Sequence, residues 1–184
     1  VLVGVIKPPY SVATGYPDNT AGLPRFREVE FEAAYPFGTF NFKDPNVPVN
    51  IKMEVFNPLV PMDSDKSGLP VAAITFILEN NSNDNVDVSI AGSLTNIIGN
   101  DGVKKVEGKF INDFKTENGL SGLLFSGEFD DPKIPQNGTI ALITDSKKTT
   151  FRKYWPETGW WRKDLLSFWD DFSDDGQLIE TSDM

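Results

Sequence analysis

The chain has 184 residues, a net charge of -10, 24% charged and 39% apolar side chains, and neither histidine nor cysteine. That composition suits one globular domain and excludes disulfides, thiol nucleophiles, zinc–thiolate sites, Ser-His-Asp and Cys-His catalysis, and histidine-ligated metals. The acidic balance argues against nucleic acid and anionic membrane surfaces, and no run approaches the roughly 20 apolar residues of a membrane helix.

In chain order, Val1 to Ile6 reads as the middle of a strand without an initiator Met, so the chain is expected to be a piece of a longer protein. Loop residues follow, broken by Pro8, Pro9, Gly15, Pro17, Gly22 and Pro24. Arg27 to Tyr35 alternates, with Val29, Phe31, Ala33 and Tyr35 on one side, as a half-buried strand must. Phe37 to Phe42 is a second strand, and Asp44-Pro45-Asn46 a turn. In Val49 to Phe56, Val49, Ile51, Met53 and Val55 oppose Asn50, Lys52 and Glu54. Val71 to Leu78 has only Thr75 as a polar residue, which predicts burial on both faces. The Asn-rich run from Asn80 to Asn85 then predicts a turn, and Val86, Val88, Ile90 and Leu94 resume the alternation as the second arm of a hairpin.

Further strands are expected at Val106 to Phe110, Leu120 to Phe129, Thr139 to Thr144 and Thr149 to Tyr154. Gly122 and Gly127, inside one of them, signal a bulge or a close backbone approach. Nine or ten strands without helical periodicity imply an all-β chain, an antiparallel β-sandwich of the supersandwich kind, over residues 1–155. Residues 156–184 form an aromatic and acidic tail. There Leu165, Phe168, Trp169 and Phe172 recur at spacings of three and four, an amphipathic helix that Gly176 would stop. Charge is polarised around it. Residues 145–163 hold six Lys or Arg against two acids, whereas residues 164–184 hold seven acids and no cation. Asp170, Asp171, Asp174 and Asp175 crowd the carboxyl end, where the helix dipole disfavours negative charge, so the helix must pack on something to persist.

Candidate chemistry is sparse. Asp63-x-Asp65-x-Ser67-Gly68 copies the first half of a calcium loop, but Ile74 stands where the bidentate Glu belongs, so Asp63 and Asp65 are weak calcium candidates and no other metal site or cofactor is indicated. Asn80-Asn81-Ser82 and Asn137-Gly138-Thr139 are glycosylation triplets. A glycosidase needs two acids about 5–10 Å apart across a sugar, and no pair among the many carboxylates is singled out. Trp155, Trp160, Trp161 and Trp169 are candidates for stacking on carbohydrate or packing between domains, the second being the commoner use of such side chains.

Several short stretches together resemble the N-terminal domain of glycoside hydrolase family 116, the non-lysosomal glucosylceramidase and bile-acid β-glucosidase family. They are Arg27 to Pro36, Asp44-Pro45 with Pro48-Val49, Phe56 to Pro61, Ser67 to Val71, Glu79-Asn80 with Val86 to Ile90, and Phe168 to Phe172 with Asp175-Gly176 and Leu178. The resemblance implies an antiparallel β-sandwich without catalytic residues. The nucleophile and the acid/base of the retaining mechanism would lie in a following helical toroid. Its implied partners are that catalytic domain of the same parent chain and a glucoside at the domain interface. A carbohydrate-binding module with a Trp platform, or a plain interaction sandwich, are the competing expectations.

Overall fold

A computed structural model of the chain describes residues 23–100, 102–103, 105–155 and 163–180. The expected strand at Val1 to Ile6 lies outside them, as do Trp160 and Trp161. The chain divides into two compact units, with the change at Asp87 to Val88. Among the described residues the strands form two antiparallel sheets, one in each unit, and the longer of the two helices belongs to the second.

In the first unit, β1 (Glu28–Ala34), β2 (Phe37–Lys43), β3 (Val49–Phe56) and β4 (Ala73–Asn80) form a meander in sequence order. Registered partners share a face. The rows Val29–Phe42–Ile51–Leu78, Phe31–Phe40–Met53–Phe76 and Ala33–Gly38–Val55–Ile74 are therefore apolar throughout. The opposite face carries Glu30, Asn41 and Lys52, then Glu32, Thr39 and Glu54. On it Lys43 pairs with Glu30 at 2.9 Å and Lys52 with Glu54 at 2.6 Å. On the apolar face the Phe31 and Phe40 rings stack at 4.5 Å, and Phe26 tilts onto Phe42 at 5.2 Å. Cross-strand pairs of this kind each contribute about 0.2–1 kcal/mol, so the alternation in the sequence sets the register and the register lines up the rings.

Two expectations are corrected here. Val71 to Leu78 is not buried on both sides: among the described residues β4 is an edge strand, and all eight of its residues are exposed. An apolar run does not by itself distinguish a central strand from an edge strand whose weaker face is Ala73, Thr75 and Ile77. Nor is there a hairpin across the Asn-rich run. The turn chemistry is present, with Asn80 Nδ2 donating to Asp84 O at 2.8 Å and Ser82 N to Asn80 Oδ1 at 2.9 Å. The following residues, however, form no strand, and from Val88 onward they belong to the second unit. Asn96 holds them there, its Nδ2 donating to Asn112 Oδ1 at 2.9 Å and Ser126 O at 3.0 Å.

The loop between β3 and β4 contains the short helix α1 (Ser64–Ser67). Asp63 caps it, accepting from Lys66 N at 3.0 Å and pairing with Lys66 Nζ at 2.8 Å. The Lys66 ammonium, then the Lys66 N–H, hold the Asp63 carboxyl below its ordinary value of 3.8. A lowered carboxylate stabilises the folded loop at pH values above 3.8, and that contribution disappears as the pH falls through the lowered value. A carbon-13 titration should place the Asp63 midpoint below that of an unperturbed aspartate, and Lys66→Met should move it back up. An ordinary midpoint in the unaltered chain would show that the cap is not formed in solution.

In the second unit, β5 (Lys109–Glu117), β6 (Leu120–Glu128) and β7 (Ile140–Thr144) form a three-stranded meander. Asn118 and Gly119 make the two-residue turn between β5 and β6, with φ of 52° and 82°, the left-handed pair that suits a tight hairpin. One face of the sheet carries Phe114, Leu123 and Leu142 in a row, next to the buried Phe125. Both glycines flagged in β6 mark close approaches. A Cβ on Gly127 would lie 2.5 Å from the Phe129 ring, and one on Gly122 would strike the backbone of β7 at Leu142 O and Ile143 Cα. Thr149 to Tyr154 is not a strand. Instead Lys153 O accepts from the Asn112 side chain, and the side chains of Thr150 and Arg152 bond the C-terminal segment.

Candidate interdomain clasp

The C-terminal part of the second unit brings together three segments: residues 149–155, helix α2 (Lys163–Asp175) and residues 176–180. The first is fastened to the sheet at two points. Phe151 stacks flat on Phe114 of β5, with centroids 3.9 Å apart and planes 4° from parallel. Asn112 Nδ2 donates to Lys153 O at 2.8 Å. On this platform lies α2, whose Leu165 is buried and whose Phe168 ring sits 5.3 Å from Trp155 and 5.6 Å from Phe172. The aromatic stripe expected from the sequence thus meets Trp155 of its own unit. Gly176, at φ 74°, ends the helix with its N–H donating to Phe172 O at 2.9 Å.

Arg152 sits at the centre. Its Nη2 donates to Asp171 Oδ2 at 2.8 Å, its Nε to Ile179 O at 3.4 Å and its Nη1 to Ser167 Oγ at 3.5 Å. Ile179 N donates to the same Asp171 oxygen at 2.9 Å, and Leu178 N to Thr150 Oγ1 at 2.9 Å. The side chains of Arg152 and Asp171 are only 7% and 13% exposed, so neither charge is well solvated and each depends on the other. One guanidinium thereby holds a helix and the segment after it in a single arrangement. It also neutralises one of the four carboxylates at the unfavourable end of the helix dipole.

Beside the clasp is an open depression of about 320 Å³ lined by Asp170, Asp171, Asp174, Asp175, Gln177, Leu178 and Ile179. Its four acids all belong to α2 and the residues that complete the lining are Gln177, Leu178 and Ile179. Asp171 is committed to Arg152, and Asp175 accepts from Gln177 N at 2.9 Å.

Of the tryptophans singled out in the sequence, Trp155 is half-buried against Phe168 and Trp169 is half-buried on α2. Asp63 is occupied as a cap and Asp65 lies exposed in the first turn of α1. Among the described residues no group of three or more acids is arranged to hold a metal ion. No helix among them is long and apolar enough to cross a membrane. What sequence reasoning missed is the pairing of Arg152 with Asp171, of which the polarised charge on either side of residue 163 was the one available sign.

A search of curated proteins returned no match. Residues 7–184 match the family model described as beta-glucosidase 2, glycosyl-hydrolase family 116 N-term.

Proposed function

Because the chain belongs to the N-terminal domain family of glycosyl-hydrolase family 116, we propose that it is a non-catalytic scaffold for the catalytic domain of its parent chain, a β-glucosidase or glucosylceramidase that retains configuration. Membership in an N-terminal family implies such a catalytic domain, and the match over residues 7–184 is the observation that carries the reading. The match takes in α2 and the tail, so the clasp belongs to the family domain. Its place in the scheme is to fix the direction in which residues 176–180 leave α2, a direction a frayed helix could not hold.

The chemistry of the chain supports this assignment. Retaining glycosidases set two carboxyl groups about 5–5.5 Å apart on either side of the scissile bond. The acid-lined depression has its acids along one helix and only an amide and two aliphatic side chains to complete it. Trp155 is half-covered by Phe168, which leaves a poor platform for a sugar ring. Titrating the chain with a glucoside should therefore leave tryptophan fluorescence unchanged up to about 1 mM, a concentration that would half-saturate a site binding with about -4 kcal/mol. A saturable change below that concentration would favour a carbohydrate-binding module over a scaffold.

A further inference from the structure

The loop before β7 holds an Asn-Gly pair in a reactive arrangement. Asn137 is exposed, and the backbone N–H of Gly138 donates to its Oδ1 at 2.9 Å. The nitrogen therefore lies next to the side-chain carbonyl, whose carbon Cγ is one bond from that oxygen. The carboxamide is held in place from its other end, Nδ2 donating to Pro132 O at 2.9 Å. Gly138 itself carries no side chain, and a Cβ added to it would meet nothing within 4 Å.

We propose that Asn137 is a self-modifying site, converted to aspartate and isoaspartate by the backbone nitrogen of Gly138. The nitrogen attacks Cγ, forming the N–Cγ bond. The Cγ–Nδ2 bond breaks, and ammonia leaves carrying the proton that the attacking nitrogen gives up. The resulting five-membered succinimide is opened by water at either carbonyl. One opening leaves aspartate, and the other reroutes the backbone through the side chain as isoaspartate. In sum one amide and one water become one carboxylic acid and one ammonia. Prior alignment of nitrogen and carbon is what makes a step of this kind fast.

A second Asn-Gly pair provides an internal comparison. Asn118-Gly119 is locked in the two-residue turn at φ 52° and 82°, closed by the Glu117–Leu120 pair, and ring closure there would have to unwind the hairpin. At Asn137 no strand has to open. Conversion removes the donor to Pro132 O and adds a negative charge to a loop whose Gln136 O accepts from Gly99 N at 2.9 Å. Ageing thus loosens the connection between β6 and β7 in particular.

The test is peptide mapping by mass spectrometry of the purified chain, made in a host that does not glycosylate Asn137-Gly138-Thr139 and incubated at mildly alkaline pH. In denaturant both Asn-Gly pairs should convert at similar rates. In the folded chain Asn137 should run about tenfold or more ahead of Asn118, the advantage expected of an aligned nucleophile. Gly138→Ala, which enters open space and leaves the unfolding midpoint where it was, should slow conversion at Asn137 about tenfold. Equal rates at the two sites in the folded chain, or an undiminished rate in Gly138→Ala, would overturn the proposal.

Discussion

Arg152→Ala should lower the unfolding free energy of the chain by about 3 kcal/mol, at the lower end of the cost of stranding one member of a buried ion pair. The loss is large because one substitution takes a partner from three groups at once. The Asp171 carboxylate keeps only Ile179 N as a donor, Ile179 O loses the guanidinium, and Ser167 Oγ loses a partner. Urea titration should show a lower midpoint, with the slope unchanged if the rest of the unit unfolds as before. Replacing the pair together, as Arg152→Met with Asp171→Leu, should recover much of the loss, since apolar side chains of similar size often substitute for a buried pair without cost. A cycle combining Arg152→Ala with Asp171→Ala should give a coupling energy above about 1 kcal/mol, as residues in direct contact do. Additive single effects would mean that the two charges do not meet in solution.

Gly122→Ala should cost a similar amount, about 3 kcal/mol, at the upper end of what overpacking usually does. The reason differs. Its Cβ would strike Leu142 O and lie 2.7 Å from Ile143 Cα, and neither is the movable end of a side chain. Relief requires β7, which among the described residues pairs only with β6, to move away from the sheet. Amide exchange should therefore rise selectively across Ile140 to Thr144, before the β5–β6 hairpin is affected. Gly138→Ala, placed in open space, is the control and should change stability by less than about 0.5 kcal/mol. Unaltered exchange in β7 of the Gly122 variant would refute the close approach.

How far the sequence could be read depended on the distance over which each feature is encoded. Strand β3 was legible because Val49, Ile51, Met53 and Val55 alternate with polar residues, and period two has a single structural meaning. The same holds for α2, whose Leu165, Phe168 and Phe172 keep helical spacing and whose Gly176 supplies the left-handed stop. The glycines in β6 were readable as close approaches, though not the Phe129 ring that fills the space at Gly127.

Val86 to Leu94 misled because alternation marks an extended chain with two unlike sides and does not reveal whether another strand will pair with it. The turn at Asn80 was read correctly, but Asn96, by bonding to Asn112 and Ser126, draws the segment into the second unit. Arg152 and Asp171 are 19 residues apart with no periodicity between them. Only the charge asymmetry hinted at their meeting, and it could not specify which cation would be taken.

Hydrolysis of an aryl β-glucoside by the purified chain, compared with the full-length parent at equal molar concentration, bears most directly on the scaffold role. A scaffold predicts release of the aglycone by the parent and none above buffer by the chain. Release by the chain, abolished when Asp170 and Asp174 are changed to Asn, would contradict that role and place the bond-breaking acids on α2.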